Sequence, residues 1–236
     1  MQISESAPKV EGALNAEDAP NVEGAPTVES TEYRSGFYRE AGFYDAHSLP
    51  DYGAQSPVTR EAFAYDFFPA TGDISSPAPL LVWVHGGAWR FGTNQALRDT
   101  ILRTPGGEQP NTQALMRAAF QQAGWAVASI NYRYSHQALF PGALHDVKEA
   151  VRFFRANAHE FGIDPQRIAV AGGSAGGHLS MMVAHTGDSA ADDGSGGDSA
   201  SAPEHDEYFE GRAASAYPSH SSQVAAAASF YGVSDL

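Results

Sequence analysis

A serine flanked by glycines gives this 236-residue sequence its clearest candidate for covalent chemistry. In "AVAGGSAGGHLS", residues 170–181, Ser174 occupies the centre of the pattern G-x-S-x-G. The pattern alone arises often by chance, but here it follows a strand-like run and opens a helix-like run. That is the setting of a nucleophile elbow, a sharp turn that exposes the serine hydroxyl. Gly172, Ala175 and Gly176 are small enough for such a turn, so the sequence predicts that Ser174 is a nucleophile.

A second motif, "HGGAW", lies 89 residues before the serine, at the end of another apolar run. Its two glycines, Gly86 and Gly87, allow the backbone to turn its N–H groups outward, as an oxyanion hole requires. With the N–H of Ala175 they would form the donors for a negatively charged oxygen. The alternative is a tight turn without chemistry. His85 fits a residue that braces this loop better than one that transfers protons.

Other polar residues receive structural interpretations. His178 is one helical turn beyond the serine and is predicted to pack or to form a hydrogen bond. Arg133 and Asp146 are predicted to form an ion pair. Trp89 could line a substrate pocket or cover the sheet edge. The remaining histidines of this region are predicted to be solvated: His136, His145 and His159.

Strand-like and helix-like segments alternate between these motifs. Strands are predicted at 61–68, 79–85, 125–132, 167–172 and 223–232, and helices at 111–124, 141–162 and 174–186. Asn111 is a candidate N-cap of the first helix. The second helix has an apolar stripe with spacings of three and four residues and a glycine at its end. Alternating strands and helices predict an α/β fold, a mostly parallel sheet with helices on both faces.

The net charge of −14 is concentrated in two segments. Residues 1–33 hold seven carboxylates against one lysine, and residues 187–221 hold eight against one arginine. We therefore expect a disordered acidic leader at 1–33 and a domain at 34–236 that contains a disordered acidic insertion at 187–221. The rest of the chain is almost neutral, which argues against nucleic acid and anionic membranes as partners.

The composition excludes some further classes of protein. The sequence has no cysteine, so disulfides, thiol nucleophiles and cysteine-bound zinc are excluded. Its first residues lack the basic and apolar regions of a signal peptide, and no run reaches the length of a membrane span. These features predict a cytoplasmic location. They leave the oligomeric state open.

Three stretches together resemble a known enzyme group: "LVWVHGGAWRFG", "INYRYSHQALFPGALHDVKEAVRFFRANA" and "FGIDPQRIAVAGGSAGGHLS". They are similar to the α/β-hydrolase esterases of the hormone-sensitive-lipase and feruloyl- and acetyl-esterase-like group. The resemblance covers about residues 60–186 and resumes at "SFYGVSDL". It implies an α/β-hydrolase fold, hydrolysis of small acyl or carbohydrate-linked esters through an acyl-serine intermediate, and no metal or organic cofactor. Ala88 stands where many relatives have a third glycine.

The resemblance also implies a catalytic acid and a histidine that follow the serine along the chain. The sequence ends immediately after the strand at 223–232, and Asp235 does not match the position of the family's acid. His185, His205 and His220 are substitutes that a disordered segment would rarely hold near a serine. We therefore expect the sequence to be the N-terminal portion of an esterase. Its sheet would lack the last strands, and the chain alone would be weakly active or inactive and prone to self-association.

Two other functions stay open from the sequence. One is a non-catalytic α/β-hydrolase-like protein that binds a ligand or partner. The other keeps the serine chemistry and changes the substrate to an amide, as in an arylformamidase or a peptidase. The intact serine and glycine motifs favour an enzyme over a binding protein.

Overall fold

The computed structural model describes residues 32–40, 58–72, 77–187 and 208–234. The strands of this part are β1 (Arg34–Phe37), β2 (Ala64–Phe68), β3 (Ala78–Val84), β4 (Ile101–Thr104), β5 (Gly107–Pro110), β6 (Ala126–Ile130), β7 (Ile163–Gly173) and β8 (Ala226–Phe230). The α-helices are α1 (Thr112–Gln122), α2 (Gly142–Ala156), α3 (Ala158–Phe161) and α4 (Ala175–Thr186). Short 3-10 helices lie at Arg60–Phe63, Asn94–Leu97 and Arg212–Ala214.

Six of these strands form one sheet in the order β1-β2-β6-β3-β7-β8. The strands β6, β3, β7 and β8 run parallel to one another, whereas β1 and β2 are antiparallel to their neighbours. β4 and β5 form a separate antiparallel hairpin. The predicted mostly parallel α/β sheet is confirmed, and its parallel strands end at one common edge, the carboxyl edge.

Helices cover both faces of the sheet. Successive residues of a strand point to opposite sides, so β3 contributes apolar side chains to both faces. On one face Leu80, Val82 and Val84 of β3 pack with the buried stripe of α2 and with α4. On the other face Leu81 and Trp83 belong to a smaller apolar cluster against which α1 packs. The fully apolar β3 segment therefore reads correctly as a strand covered on both sides.

The helix signals in the sequence correspond to the observed helix ends. The Asn111 side chain accepts hydrogen bonds from the N–H groups of Gln113 and Ala114 and so caps α1. The predicted helix at 141–162 is interrupted at Asn157, which separates α2 from α3. Gly162 then ends α3 with a φ of 66°, a left-handed conformation that glycine adopts without strain.

Two strand predictions differ from the structure in their extent. The segment predicted as a strand at 61–68 begins as a 3-10 helix and becomes β2 at Ala64. β7 starts at Ile163, four residues before its predicted start, and contains a register shift opposite β3. Before β2, the described residues 32–40 also pack on the sheet, since β1 pairs with β2 and Tyr38 is buried.

The predicted disordered insertion at 187–221 needs correction in its second part. Residues 208–223, called the strap below, lie along α2 and include the buried residues Glu210, Ser215 and Ser222. The prediction of disorder is therefore wrong for residues 208–221, because their charged and hydroxyl groups find partners on α2. Residues 188–207 and the leader up to residue 31 lie outside the described residues.

Within the described ranges, every helix is too short or too polar to cross a lipid bilayer.

Candidate active site

Ser174 forms a sharp turn between β7 and α4 at the carboxyl edge of the sheet. Its φ of 53° and ψ of −122° lie in a region that non-glycine residues rarely occupy. The turn is fixed on both sides: the Ser174 N–H donates to the Phe230 carbonyl at 2.9 Å, and the His178 N–H donates to the Ser174 carbonyl at 3.0 Å. The strained turn at a strand–helix junction is the geometry of a nucleophile elbow.

Two glycines let this elbow press against the end of β3. A Cβ atom at Gly172 would lie 2.4 Å from the Val84 carbonyl oxygen, and one at Gly176 would lie 2.0 Å from the same oxygen. No side chain fits at such distances. The glycines predicted to make the turn possible are thus required by the close approach of β7, α4 and β3.

The HGGAW loop leaves β3 and lies directly beside the serine. A Cβ atom at Gly86 would lie 3.4 Å from the Ser174 Cβ, which is van der Waals contact. Gly87 has a φ of 117°, and its carbonyl accepts the N–H groups of Arg90 and Phe91 in a tight turn. Among the described residues, the N–H groups of Gly86, Gly87 and Ala175 donate no hydrogen bond. These three N–H groups, in the loop beside the serine and in the residue that follows it, are therefore free within the described part of the chain.

His85 is buried beneath this loop. Its Nδ1–H donates to the Gly86 carbonyl at 2.7 Å, and its ring stacks on Tyr132 with centroids 4.5 Å apart. The Tyr132 hydroxyl in turn donates to the His85 carbonyl at 3.0 Å. Burial lowers the pKa of His85, which favours the neutral ring. A neutral imidazole whose Nδ1 proton is held by the loop is suited to bracing that loop.

His178 and Trp89 form a wall next to the serine. The His178 Nδ1 is 2.8 Å from the Val233 carbonyl, and the Trp89 ring stands perpendicular to the imidazole at 5.4 Å. The prediction that His178 packs and forms a hydrogen bond is confirmed. Because its Nδ1 binds a backbone carbonyl, this histidine is tied to the segment after β8.

The loop between β6 and α2 supports the same edge. Arg133 and Asp146 form the predicted ion pair, with 2.8 Å between Nε and Oδ2. The Ser135 N–H donates to the Trp89 carbonyl at 2.7 Å. His136 and His159 are exposed as predicted. The prediction that His145 is solvated is wrong, because this residue is buried at the start of α2 against the strap.

The described residues place no general base against the serine. Within them, the Ser174 hydroxyl makes no hydrogen bond. His185 lies in the last turn of α4, about 16 Å along the helix axis from the elbow. His220 is near Tyr217, and the Tyr217 ring contacts Phe153 near the carboxyl-terminal end of α2. His205 and Asp235, also considered from the sequence, lie outside the described residues.

A metal site is also missing from the described ranges, where no group of three or more histidine or carboxylate side chains could hold an ion.

The contacts that support the elbow and that the sequence did not reveal come from β8 and the strap. The motif "SFYG" indicates a strand, but no pattern shows that its Phe230 carbonyl would accept the serine N–H. In the sequence, the charged residues of α2 have the composition of a solvent-exposed helix face. In the structure they bind the strap instead.

The sequence is similar to those of proteins described as ester hydrolases. LipM of Mycobacterium tuberculosis, described as a probable carboxylic ester hydrolase, is 37% identical over 114 residues, which are 48% of this chain and 23% of LipM. Esterase LipQ of the same organism is 33% identical over 159 residues, 67% of this chain and 29% of LipQ. The chain therefore matches less than a third of the length of these curated relatives.

A solved structure and a family assignment extend the comparison. A truncated carbohydrate esterase from gut microbiota is 26% identical, with a TM-score of 0.54, and the match covers 86% of this chain and 57% of that chain. The BD-FAE family matches residues 67–236, which include β3, the HGGAW loop, the elbow and β8. The chain thus belongs to the BD-FAE family and has the α/β-hydrolase fold.

Proposed function

We propose that the protein is a carboxylic-ester hydrolase in which Ser174 is the nucleophile. The observation that carries the proposal is the strained elbow at Ser174, which lies so close to Gly86 that a Cβ atom there would be 3.4 Å from the serine Cβ. A non-glycine residue at positive φ costs about 1–3 kcal/mol, and such strain persists where the surrounding structure enforces it. The support for an oxyanion hole is that the N–H groups of Gly86, Gly87 and Ala175 make no hydrogen bond within the described part of the chain.

The proposed reaction is acyl transfer in two steps. The Ser174 Oγ bonds to the carbonyl carbon of the ester, and the carbonyl electron pair moves onto its oxygen. That oxyanion accepts hydrogen bonds from the N–H groups of Gly86, Gly87 and Ala175. When the carbonyl reforms, the bond to the alkoxide breaks, the alkoxide leaves as the alcohol with the proton that the serine hydroxyl lost, and an acyl-serine remains. Water then adds to the acyl carbon, one of its protons returns to the serine oxygen, and the acid and free serine are released.

The electrostatics of the edge favour this chemistry. One preorganised donor of an oxyanion hole is worth about 2.7–4 kcal/mol in comparable enzymes. The N-terminus of α4 adds the positive end of a helix dipole beside Ser174. His85 acts as a positioning residue in the proposal, because its hydrogen bond to the Gly86 carbonyl orients the peptide that carries the Gly87 N–H.

The proposed substrates are small acyl or carbohydrate-linked esters. The support is the similarity to a carbohydrate esterase at 26% identity and to relatives described as ester hydrolases. The described residues position no acid or base for Ser174. We therefore expect the 236-residue chain to show only residual catalysis, about 10³–10⁴ over water, from the oxyanion donors and binding.

The test is covalent labelling with a fluorophosphonate and hydrolysis of p-nitrophenyl acetate. Intact mass and peptide mapping should place the label on Ser174, and Ser174→Ala should abolish it. Ser219→Ala is the matched control, since Ser219 is exposed and its hydroxyl lies 3.3 Å from the His220 Nδ1. Slow hydrolysis that disappears in Ser174→Ala supports the proposal.

Other results of this test would point elsewhere. Label on Ser219, or label that persists in Ser174→Ala, contradicts the assignment of the nucleophile. A folded chain that takes no label while binding an ester would favour a binding protein. Faster cleavage of formyl-aryl amides than of acetyl esters would change the substrate class to amides.

A further inference from the structure

Four charged side chains are buried together between α2 and the strap. Lys148, Glu149 and Arg152 come from α2 and Glu210 from the strap, and their side chains are 0%, 1%, 1% and 5% exposed. The cluster contains two cations and two carboxylates, so its formal charges cancel. We call these four residues the clasp. Their role is not explained by the proposed reaction.

Glu210 connects three elements through the clasp. Its carboxylate pairs with Lys148 and Arg152 and accepts the Ser222 hydroxyl at 3.0 Å. The Lys148 Nζ also donates, at 2.5 Å, to the carbonyl of Thr186, the last residue of α4. The start of the strap is thereby fixed to α2 and to the end of the helix that begins at the serine.

Further hydrogen bonds fix the strap along its length. Glu149 accepts the Ser215 hydroxyl and, at 2.7 Å, the Ala216 N–H. The Arg155 guanidinium donates to the carbonyls of Ser221 and Gln223, the latter at 2.5 Å. Gln223 lies three residues before β8. Polar contacts with α2 therefore help to fix where β8 enters the sheet, together with the Ala225 N–H that donates to the Ile168 carbonyl of β7 at 2.8 Å.

β8 in turn supports the elbow. It pairs in parallel with the end of β7, with Gly173 opposite Phe230. The Phe230 carbonyl accepts the Ser174 N–H at 2.9 Å, and the Val233 carbonyl binds His178. A Cβ atom at Gly177 would lie 2.7 Å from the Ser229 hydroxyl, so α4 and β8 are in close contact.

β8 has little other support of its own. Apart from the half-buried Ala227, its residues are exposed, Phe230 at 47%. Apolar burial therefore contributes little to where this strand lies. Beside the contact of the Phe230 ring with Trp83, whose centroids are 5.9 Å apart, the strap that precedes β8 and its backbone pairing with β7 hold its register.

From these contacts we propose that Glu210 is a positioning residue for Ser174, acting through the strap and β8. Loss of its charge would leave the buried Lys148 without its carboxylate partner and Arg152 with only Glu149, 3.9 Å away, so the start of the strap would leave α2. β8 would then lose its fixed entry point, and the Phe230 carbonyl would no longer hold the Ser174 N–H. This inference rests on the proposed function for its effect on catalysis, but the structural coupling can be measured without it.

The variants are Glu210→Gln, which removes the charge at nearly constant volume, and Glu210→Asp, which keeps it. Glu108→Gln is the control, because Glu108 pairs with Arg103 on the exposed β4–β5 hairpin. Labelling of Ser174 by a fluorophosphonate is timed at a temperature at which circular dichroism shows every variant folded. A misplacement of a reacting group by about 1 Å can cost up to about 10²-fold in rate.

We expect Glu210→Gln to slow labelling by about tenfold or more and Glu210→Asp to recover most of the rate. Glu108→Gln should label at the rate of the unmodified chain. If Glu210→Gln lowers the melting temperature but labels at the unmodified rate while folded, Glu210 is only structural and the inference is wrong. Should Glu210→Gln fail to fold, Ser222→Ala removes one hydrogen bond from the same carboxylate and is expected to slow labelling in the same direction. An unmodified labelling rate in folded Ser222→Ala would then overturn the inference.

Hydrogen exchange separates the coupling from the proposed activity. The Ser174 amide, bonded to Phe230, should exchange at least about tenfold faster in Glu210→Gln than in Glu108→Gln. Faster exchange in a chain whose serine takes no label would support the coupling while contradicting the proposed function. Unchanged exchange at Ser174 would overturn the coupling whether or not the chain hydrolyses esters.

Discussion

The burial of His145 makes a specific prediction about how the stability of this protein depends on pH. His145 lies in the first turn of α2, and its ring is 5% exposed beneath the strap. The Nε2–H donates to the Tyr208 carbonyl at 2.8 Å, and Gly211 packs against the ring. Since the ring has been removed from water, the charged form is disfavoured.

Burial lowers the pKa of His145 from 6.5 to about 4. Smaller effects come from its charged neighbours: Asp146 raises the pKa, whereas Arg133 and Lys148 lower it. The folded protein therefore binds a proton at this ring less readily than the unfolded chain does. The contribution of the neutral His145 ring to the free energy of unfolding is complete above pH 6.5 and is lost as the pH falls toward 4. The difference between the two pKa values corresponds to about 3 kcal/mol.

The test compares urea unfolding of the unmodified chain and of His145→Gln between pH 7 and pH 4. Glutamine keeps an N–H donor for the strap and has no proton to gain. At pH 7 the variant should be less stable, and its deficit should shrink by about 3 kcal/mol on going to pH 4. Carboxylates that protonate in the same range affect both proteins and cancel in the comparison.

His159→Gln is the control, because His159 is exposed on α3 and should give a curve parallel to that of the unmodified chain. A deficit of His145→Gln that stays constant from pH 7 to pH 4 would refute the reasoning. A deficit that grows toward pH 4 would mean that the folded state stabilises the charged ring.

Two further predictions concern stability alone and are measured by urea unfolding at pH 7. Gly176→Ala should destabilise by about 3 kcal/mol or more, because its Cβ would overlap the Val84 carbonyl. Gly162→Ala, with nothing within 4 Å of the added atom, should cost only about 1–2 kcal/mol for its left-handed backbone; equal losses in both variants would contradict the overlap. Asn111→Ala should cost about 1–2 kcal/mol, since it removes the cap of α1 and the donor to two carbonyls of the preceding segment. A loss below about 0.5 kcal/mol would mean that water replaces the cap.

The parts of the fold that follow from local patterns could be predicted from the sequence. The apolar run that became β3 and the stripe of α2 depend only on spacing and residue type, and both were confirmed. The elbow was also recognisable, because a G-x-S-x-G between a strand and a helix has few structural solutions. The Arg133–Asp146 pair was predicted from two charges near the ends of neighbouring elements.

The parts that depend on distant partners could not be predicted. β2 runs antiparallel to both of its neighbours, β1 and β6, and no residue in β2 encodes that direction. The β4–β5 hairpin has exposed residues on both faces, so it lacks an alternating pattern. Lys148 and Glu149 have the composition of a solvated helix face, and only the strap, folded back from beyond residue 207, makes them internal.

The order of the strands has a consequence for how the site comes into being as the chain folds. β7 pairs with β3 across 88 positions, from Leu80 to Ile168, and with β8 across 57, from Ala169 to Ala226. Contacts between residues so far apart form slowly, because the chain entropy of closing each loop is lost before the contacts compensate for it. The serine turn lies where these two pairings meet. We therefore expect its geometry to be completed late in folding, after helices such as α1 and α2 have formed from neighbouring residues.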